Sequence, residues 1–243
     1  MENETARDVS LDEPLPLWLM LLLPIYAAAI LSLFLFPFAG DWRWFEGWAL
    51  VITFAVNIGI SYLIINQKNP RVLRNRMKLK KEGLTAATRK SAGSDRFVMP
   101  MMSVGFFGAL IVPGLAHRFG WPTISLALEM IGLVGFNVGL IIMDVAILQN
   151  SFASKLLDIN KDQVLIDTGL YAHVRHPLYA GAVLMVLTIP IALGCWWALI
   201  PAAVAILTLV ARIKPEEEML IRGMDGYEDY RTRVKYRLIP WIY

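Results

Sequence analysis

The sequence holds one cysteine, Cys195, in 243 residues. A lone thiol forms no internal disulfide and supplies no cysteine-based metal site within one chain. Charge is scarce too: Asp, Glu, Lys and Arg make up 18% of the residues against 57% hydrophobic, and mean hydropathy is +0.54. A soluble domain of this size is more polar, which excludes that class. The opening residues MENETARDVSLDE lack the basic n-region and cleavage site of a signal peptide, so the apolar run 15–38 is expected to be a retained span. No internal repeat, low-complexity tract or soluble domain stands out. Nothing in the sequence offers a metal site or a nucleophilic triad.

What is present is a series of apolar runs long enough to cross a bilayer. We expect an all-α integral membrane protein of about six transmembrane helices, near 16–38, 46–65, 98–116, 122–147, 178–193 and 196–213. The last two are short and joined by Gly194–Cys195, either as a tight helical hairpin or as two full-depth spans. A cytoplasmic C-terminal segment follows. The expected organisation is one structural domain with two parts: 1–149, with a basic loop at 66–97, and 150–243. Of the 23 Lys and Arg, ten lie in 66–97, three in 149–177 and seven from Arg212 onward, while the opposite loops hold only Arg43 and Arg118. Cytoplasmic loops carry the positive excess, so both termini, the basic loop and the tail are expected to face the cytoplasm. The basic loop reads as a surface helix and connector near anionic lipid.

A few polar groups fall inside the spans. Glu129 is expected well inside the fourth, where an ionised carboxylate is costly, and so protonated or paired across a helix interface. Asp144 is placed nearer the boundary, where it stays solvated. Asn57 and Asn137 read as interhelical hydrogen-bond partners. Trp42, Trp44, Trp48, Trp121, Trp196 and Trp197 read as interfacial aromatics.

The most informative stretch is IDTGLYAHVRHPLYAG, residues 166–181. Asp167, Thr168 and Gly169 are turn formers. Pro177 forces His176 out of the helical region and suits the first position of a helix. Tyr171, His173, Arg175 and His176 therefore crowd the mouth of an apolar helix, whose N-terminal end favours an anionic ligand group. Beyond the last span, Pro215 is expected to start a new short helix ending at Gly223. Glu216, Glu217 and Glu218 suit its first turn as caps, but a hairpin also returns them beside His176. Such convergence suits a pocket for a ligand carrying both charge signs. The tail GYEDYRTRVKYRLIPWIY alternates tyrosine with Arg and Lys. It reads either as a segment on anionic headgroups or as a lid over that pocket. Nucleic acid is not an expected partner, because the positive-inside bias accounts for the basic residues.

The run from Val164 to Tyr243 resembles the catalytic half of the isoprenylcysteine carboxyl methyltransferase and phospholipid methyltransferase superfamily. The matching pieces are TGLY at 168–171, VRHPLYAG at 174–181, the glutamate pair at 216–217 with Leu220, and GYxxY followed by RLIP at 226–240. Asn150, Phe152 and Ser154 fit a weaker element of bacterial members. The family's usual GPY is GLY here, with Leu170. The resemblance implies S-adenosyl-L-methionine as cofactor on the cytoplasmic side. It implies a site of Tyr171, Arg175, His176, Pro177, Tyr179, Gly181, Glu216 and Glu217, with Arg175, His176 and Glu217 at the chemistry. Chemically, the donor's carboxylate suits Arg175 and the helix start. Its ammonium and ribose suit the two glutamates, and its sulfonium suits tyrosine faces. Gly181 allows close approach of a partner helix or the cofactor. The acceptor would be lipid-like or a small hydrophobic molecule entering from the bilayer. A prenylcysteine α-carboxylate is the first choice, with a phospholipid amine or a small thiol or hydroxyl open. A bacterial inner membrane is the expected location. Two competing readings are a sterol-type reductase, in which an asparagine stands where Pro177 and Leu178 follow His176, and a membrane scaffold or transporter, which would place polar groups at the midplane.

Overall fold

The computed structural model describes residues 13–77, 86–150 and 164–243; side chains of residue 71, 75–77 and 86–96 are not described. Among these residues the fold is all-helical. Helix α1 is Leu17–Ala39, α2 Phe45–Lys68, α3 Pro70–Met77, α4 Ala86–Arg118, α5 Leu126–Gln149, α6 Pro177–Ala192, α7 Leu199–Gly223 and α8 Tyr227–Arg233. Among the described residues, five segments are long and apolar enough to span a bilayer: α1, α2, Phe97–Arg118 of α4, α5, and Trp196–Gly223 containing α7. The sixth apolar helix, α6, has 16 residues. At 1.5 Å per residue it rises about 24 Å, short of a hydrocarbon core of about 30 Å.

The apolar helices close into a ring, with α1 against α2, α2 against α5, α5 against α6, α6 against α7, α7 against α4, and α4 against α1. Glycines allow the close crossings. On α5, a Cβ at Gly132 would meet the backbone of Ala192, one at Gly135 the side chain of Thr188, and one at Gly139 the carbonyl of Gly181 at 2.7 Å. Helices α5 and α6 therefore run antiparallel on a ridge of small residues, the usual route to tight packing where lipid offers no hydrophobic drive. Leu35, Phe36, Leu50, Leu110, Phe136 and Ile189 form part of the central core inside the ring.

Several sequence expectations shift. Helix α4 begins at Ala86, so the expected span 98–116 is the inner part of a longer helix. Pro215 does not start a helix; it lies inside α7, which runs unbroken to Gly223. A proline forgoes one backbone bond there, a loss that surrounding packing can absorb. Glu129 is not mid-span, because the extended residues 121–125 delay α5 until Leu126, leaving Glu129 in the first turn against the Gly194 turn. Asn137 donates to Leu133 O of its own helix (2.8 Å), and the Asn57 side-chain oxygen is buried without a hydrogen-bond partner, so neither is an interhelical bond. Asp144 does accept across helices, from the Ser61 hydroxyl at 2.6 Å. Trp44 is buried and stacked on His117, whereas Trp42, Trp48, Trp121, Trp196 and Trp197 are exposed. Of the basic loop, α3 is a helix as expected; most of its remaining side chains, like Phe152 and Ser154, lie outside the described residues.

Candidate active site

Residues 164–176 descend to the helix mouth through a one-turn 3-10 helix, Gly169–Ala172. Gly169 takes φ 62°, with the Gln149 side chain packed where a Cβ would point, and Gln149 Oε1 accepts from the Leu170 N–H at 2.9 Å. His176 then adopts φ −124°, ψ 61°, and α6 starts at Pro177. The α5–α6 register, carried on at the same rise, sets His176 level with Ala146, about 5 Å short of the end of α5. The mouth of the short helix is therefore recessed within the ring.

Into this recess α7 brings its acidic turn. Glu217, with 3% of its surface exposed, accepts on Oε1 from Arg175 Nε (2.6 Å), and His176 Nε2 lies 3.4 Å from the same oxygen. Its Oε2 accepts from Arg237 Nε at 3.0 Å. Arg175 also donates through NH1 to the Val234 and Lys235 carbonyls, at 2.7 and 2.9 Å. The Arg175 and His176 backbone N–H groups donate to Tyr236 O and Arg237 O, at 3.0 and 2.9 Å. Residues 234–243 thus form a strap laced across the motif. A buried guanidinium needs its N–H groups paired, and Arg175 pairs Nε and NH1 within the chain.

A second set lies one turn deeper. Tyr179 OH donates to Glu216 Oε2 at 2.5 Å and accepts from Arg212 NH1 at 3.3 Å. The His176 and Tyr179 rings stack at 5.5 Å and 23°. Beneath the strap, Tyr230 OH donates to Tyr171 O at 2.8 Å, while the Tyr227 hydroxyl is buried without a hydrogen-bond partner. Desolvation pushes both the Tyr227 and Tyr230 hydroxyls well above the ordinary phenol range, and nearby Glu217 adds to the effect at Tyr227 and Tyr171 at Tyr230. Partial burial lowers the pKa of Arg237, but the Glu217 charge and its hydrogen bonds outweigh that and raise it.

The structure therefore brings together Arg175, His176, Tyr179, Glu216 and Glu217, with Pro177 setting the helix start and Tyr171 tied to α8 through its carbonyl. Gly181 belongs elsewhere: a Cβ there would sit 2.6 Å from Gly139 O and 2.8 Å from Met143 Cγ. That position is filled by α5, so its closeness serves a partner helix rather than a cofactor. His173 and Glu218 are exposed, the latter 3.8 Å from Arg222 one helical turn on. Sequence reasoning did not single out two participants, Arg212 and Arg237. The signal for Arg237 was its place in the RLIP run; for Arg212 it was a charge closing an apolar span.

Comparison with known proteins bears on these same residues. Residues 130–222 match the Isoprenylcysteine carboxyl methyltransferase (ICMT) family. Over 77 residues the chain is 35% identical to Protein-S-isoprenylcysteine O-methyltransferase of Schizosaccharomyces pombe, an alignment covering 31% of this chain and 33% of that protein. The match thus spans about one third of the relative's length. The family region contains Arg175, His176, Tyr179, Glu216 and Glu217, and with the long apolar helices it marks an integral membrane protein. Over residues 130–222, this chain is thus similar to the isoprenylcysteine carboxyl methyltransferase superfamily.

Proposed function

We propose that the protein is a membrane methyltransferase that uses S-adenosyl-L-methionine and methylates a lipophilic acceptor, with an isoprenylcysteine-type α-carboxylate as first choice. The observation that carries this reading is the junction of Arg175 and His176 with Glu217, which joins the start of α6 and the acidic turn of α7 in one recess. The donor set fits the cofactor chemically. His176 and Tyr179 offer stacked aromatic faces beside the Glu216 carboxylate, which suits a cationic ligand, and Arg212 suits an anionic group. When bound, the cofactor supplies an electrophilic methyl group on a sulfonium.

The chain's residues then divide by their contacts. His176, Tyr179, Glu216 and Arg212 hold and orient ligand. Arg175, Glu217 and Arg237 act as positioning residues, because their charges are already spent on one another and on the strap. A carboxylate acceptor requires no general base. Its transfer reaction cancels opposite charges, so a recess that excludes water favours it, and in-line positioning supplies much of the remainder. The short α6 and the glycine-lined α5–α6 contact support a recess near the membrane boundary, where an acceptor held by its apolar tail would reach it.

By the positive-inside argument this end of the bundle faces the cytoplasm, with both termini on that side and α6–α7 as the C-terminal hairpin of six spans. The expected location is a bacterial inner membrane. The test is binding of labelled S-adenosylmethionine to detergent-purified protein, then transfer to a panel of prenylcysteine, phosphatidylethanolamine and thiol acceptors. Binding that Y179F and E216Q weaken, with label passed to prenylcysteine, supports the reading. Absence of binding overturns it, and label on another acceptor overturns the choice of carboxylate.

A further inference from the structure

We propose that the turn Ile239–Ile242 is a membrane-interface anchor, inserting Ile239, Trp241 and Ile242 among lipid headgroups and upper acyl carbons and so holding the strap over His176 and Glu217. Three observations converge on this. The first is exposure: Trp241 is 85% exposed, Ile242 78% and Ile239 46%, in a ten-residue strap whose Val234 and Leu238 are buried. The strap sorts its apolar residues into an inward pair that packs on the chain and an outward trio that does not.

The second is backbone conformation. Trp241 has φ 65°, the one non-glycine residue with positive φ among the described residues. A bulky side chain is rare there. The turn is nevertheless closed by Ile242 N–H and Tyr243 N–H to Ile239 O, at 3.2 and 3.1 Å. Within the chain the indole is tilted against Tyr236, with ring centroids 6.4 Å apart and planes at 55°. Glycine would suit this position better, so the indole is held outward against a backbone preference.

The third is depth. Tyr236 O and Arg237 O accept from the backbone of Arg175 and His176, and His176 lies about one turn below the end of α5. The strap is thus at the level of the helix ends, the zone where Trp concentrates in membrane proteins. Lys235, in the same strap, is exposed, and a cation at this level suits anionic headgroups. The occupant is therefore the interfacial zone of the protein's own bilayer.

The anchoring itself does not depend on the methyltransferase reading; its effect on ligand retention does. Helix α6 receives the strap through Arg175 and His176, so freeing the turn would loosen the roof of the recess.

The test uses the full chain in lipid nanodiscs containing phosphatidylglycerol. Subtracting the emission of a W241F variant from that of the parent isolates Trp241. An anchored indole emits to the blue of water-exposed tryptophan, and lipids brominated near the headgroup quench it by about half or more. A water-like emission that aqueous acrylamide quenches and brominated lipid does not would overturn the proposal. So would a blue emission that brominated lipid spares and dilution abolishes, which would mark contact with a second copy. W241G supplies the second arm. Glycine relieves the positive φ, so a merely structural turn would exchange its backbone hydrogens more slowly than the parent. A lost anchor predicts the reverse, about ten-fold faster exchange across 234–243. Faster exchange together with unchanged S-adenosylmethionine affinity would refute coupling to the recess. Failure of the parent to bind S-adenosylmethionine would instead strike the functional reading and leave the quenching result standing.

Discussion

Removing the Glu217 charge is the sharpest perturbation the recess allows. The carboxylate takes two charge-assisted bonds, from Arg175 at 2.6 Å and Arg237 at 3.0 Å, while only 3% of it is exposed. Such bonds contribute roughly 1.5–3 kcal/mol each. The Arg237 side chain is 31% exposed, so water replaces much of what it loses and its share is small. Arg175 is 5% exposed and keeps its carbonyl partners in the strap, yet it is left with a buried charge uncompensated. E217Q is therefore expected to cost about 3 kcal/mol, at the lower end for breaking a buried pair. The assay is reversible unfolding in mixed micelles, in a double-mutant cycle of R175M, E217M and the pair. A coupling of about 2 kcal/mol is expected, because replacing both charges by apolar groups removes the stranded partner. Hydrogen exchange across 227–243 should speed up in each single variant. If E217Q unfolds within about 0.5 kcal/mol of the parent, or the cycle shows no coupling, the claim that this ion network ties the strap to α6 and α7 is wrong.

Other expectations follow from single contacts. Y230F deletes a buried bond to Tyr171 O and should cost about 1 kcal/mol, whereas Y227F removes a buried hydroxyl that has no partner and should be neutral or stabilising. Burial raises both phenol pKa values, so their neutral forms favour the folded state. That contribution is intact below about pH 10, the unfolded value, and is lost as pH rises toward the raised folded values; alkaline unfolding should be less steep in Y227F/Y230F. G181A and G139A each drive a Cβ to within 2.7 Å of the opposing carbonyl and should cost about 1–3 kcal/mol, while G59A, whose nearest neighbour is Pro24 at 3.6 Å, should melt at or above the parent temperature. Y179F, which loses contact with both Glu216 and Arg212, should weaken S-adenosylmethionine binding about ten-fold with little change in stability, read by calorimetric titration.

The apolar helices were legible because their signal is composition over some twenty residues, and the start of α6 was legible because proline dictates it locally. Pro215 misled for the same reason: read locally, a proline marks a beginning. Inside α7 the packed turns on either side carry the helix past it. Glu129 was misplaced because the helix start was set four residues early, and in an antiparallel pair that moves a side chain by more than one turn. Roles within the candidate site were the least legible. The sequence shows that Arg175 and Glu217 approach one end of the bundle, but whether they face a ligand or each other depends on how many partners converge, and the strap supplies three of them: two carbonyl acceptors for Arg175 and the Arg237 donor for Glu217.

That last point bears on why a membrane site would bury charges it does not present to ligand. Each ion in the recess is costly to desolvate, and the pair repays the cost only when further bonds satisfy the remaining valences. Here those bonds come from the Val234 and Lys235 carbonyls and from Arg237, all on one chain segment. The burial of Arg175 and the seating of the strap are therefore mutually dependent: with the strap displaced, Arg175 loses two acceptors and Glu217 loses a donor. An opening that admits ligand would expose that network to water. Water would satisfy it at low cost near the membrane boundary and at high cost deeper in the core. On the proposed placement of the short α6 near the membrane boundary, water would reach those valences once the strap lifted.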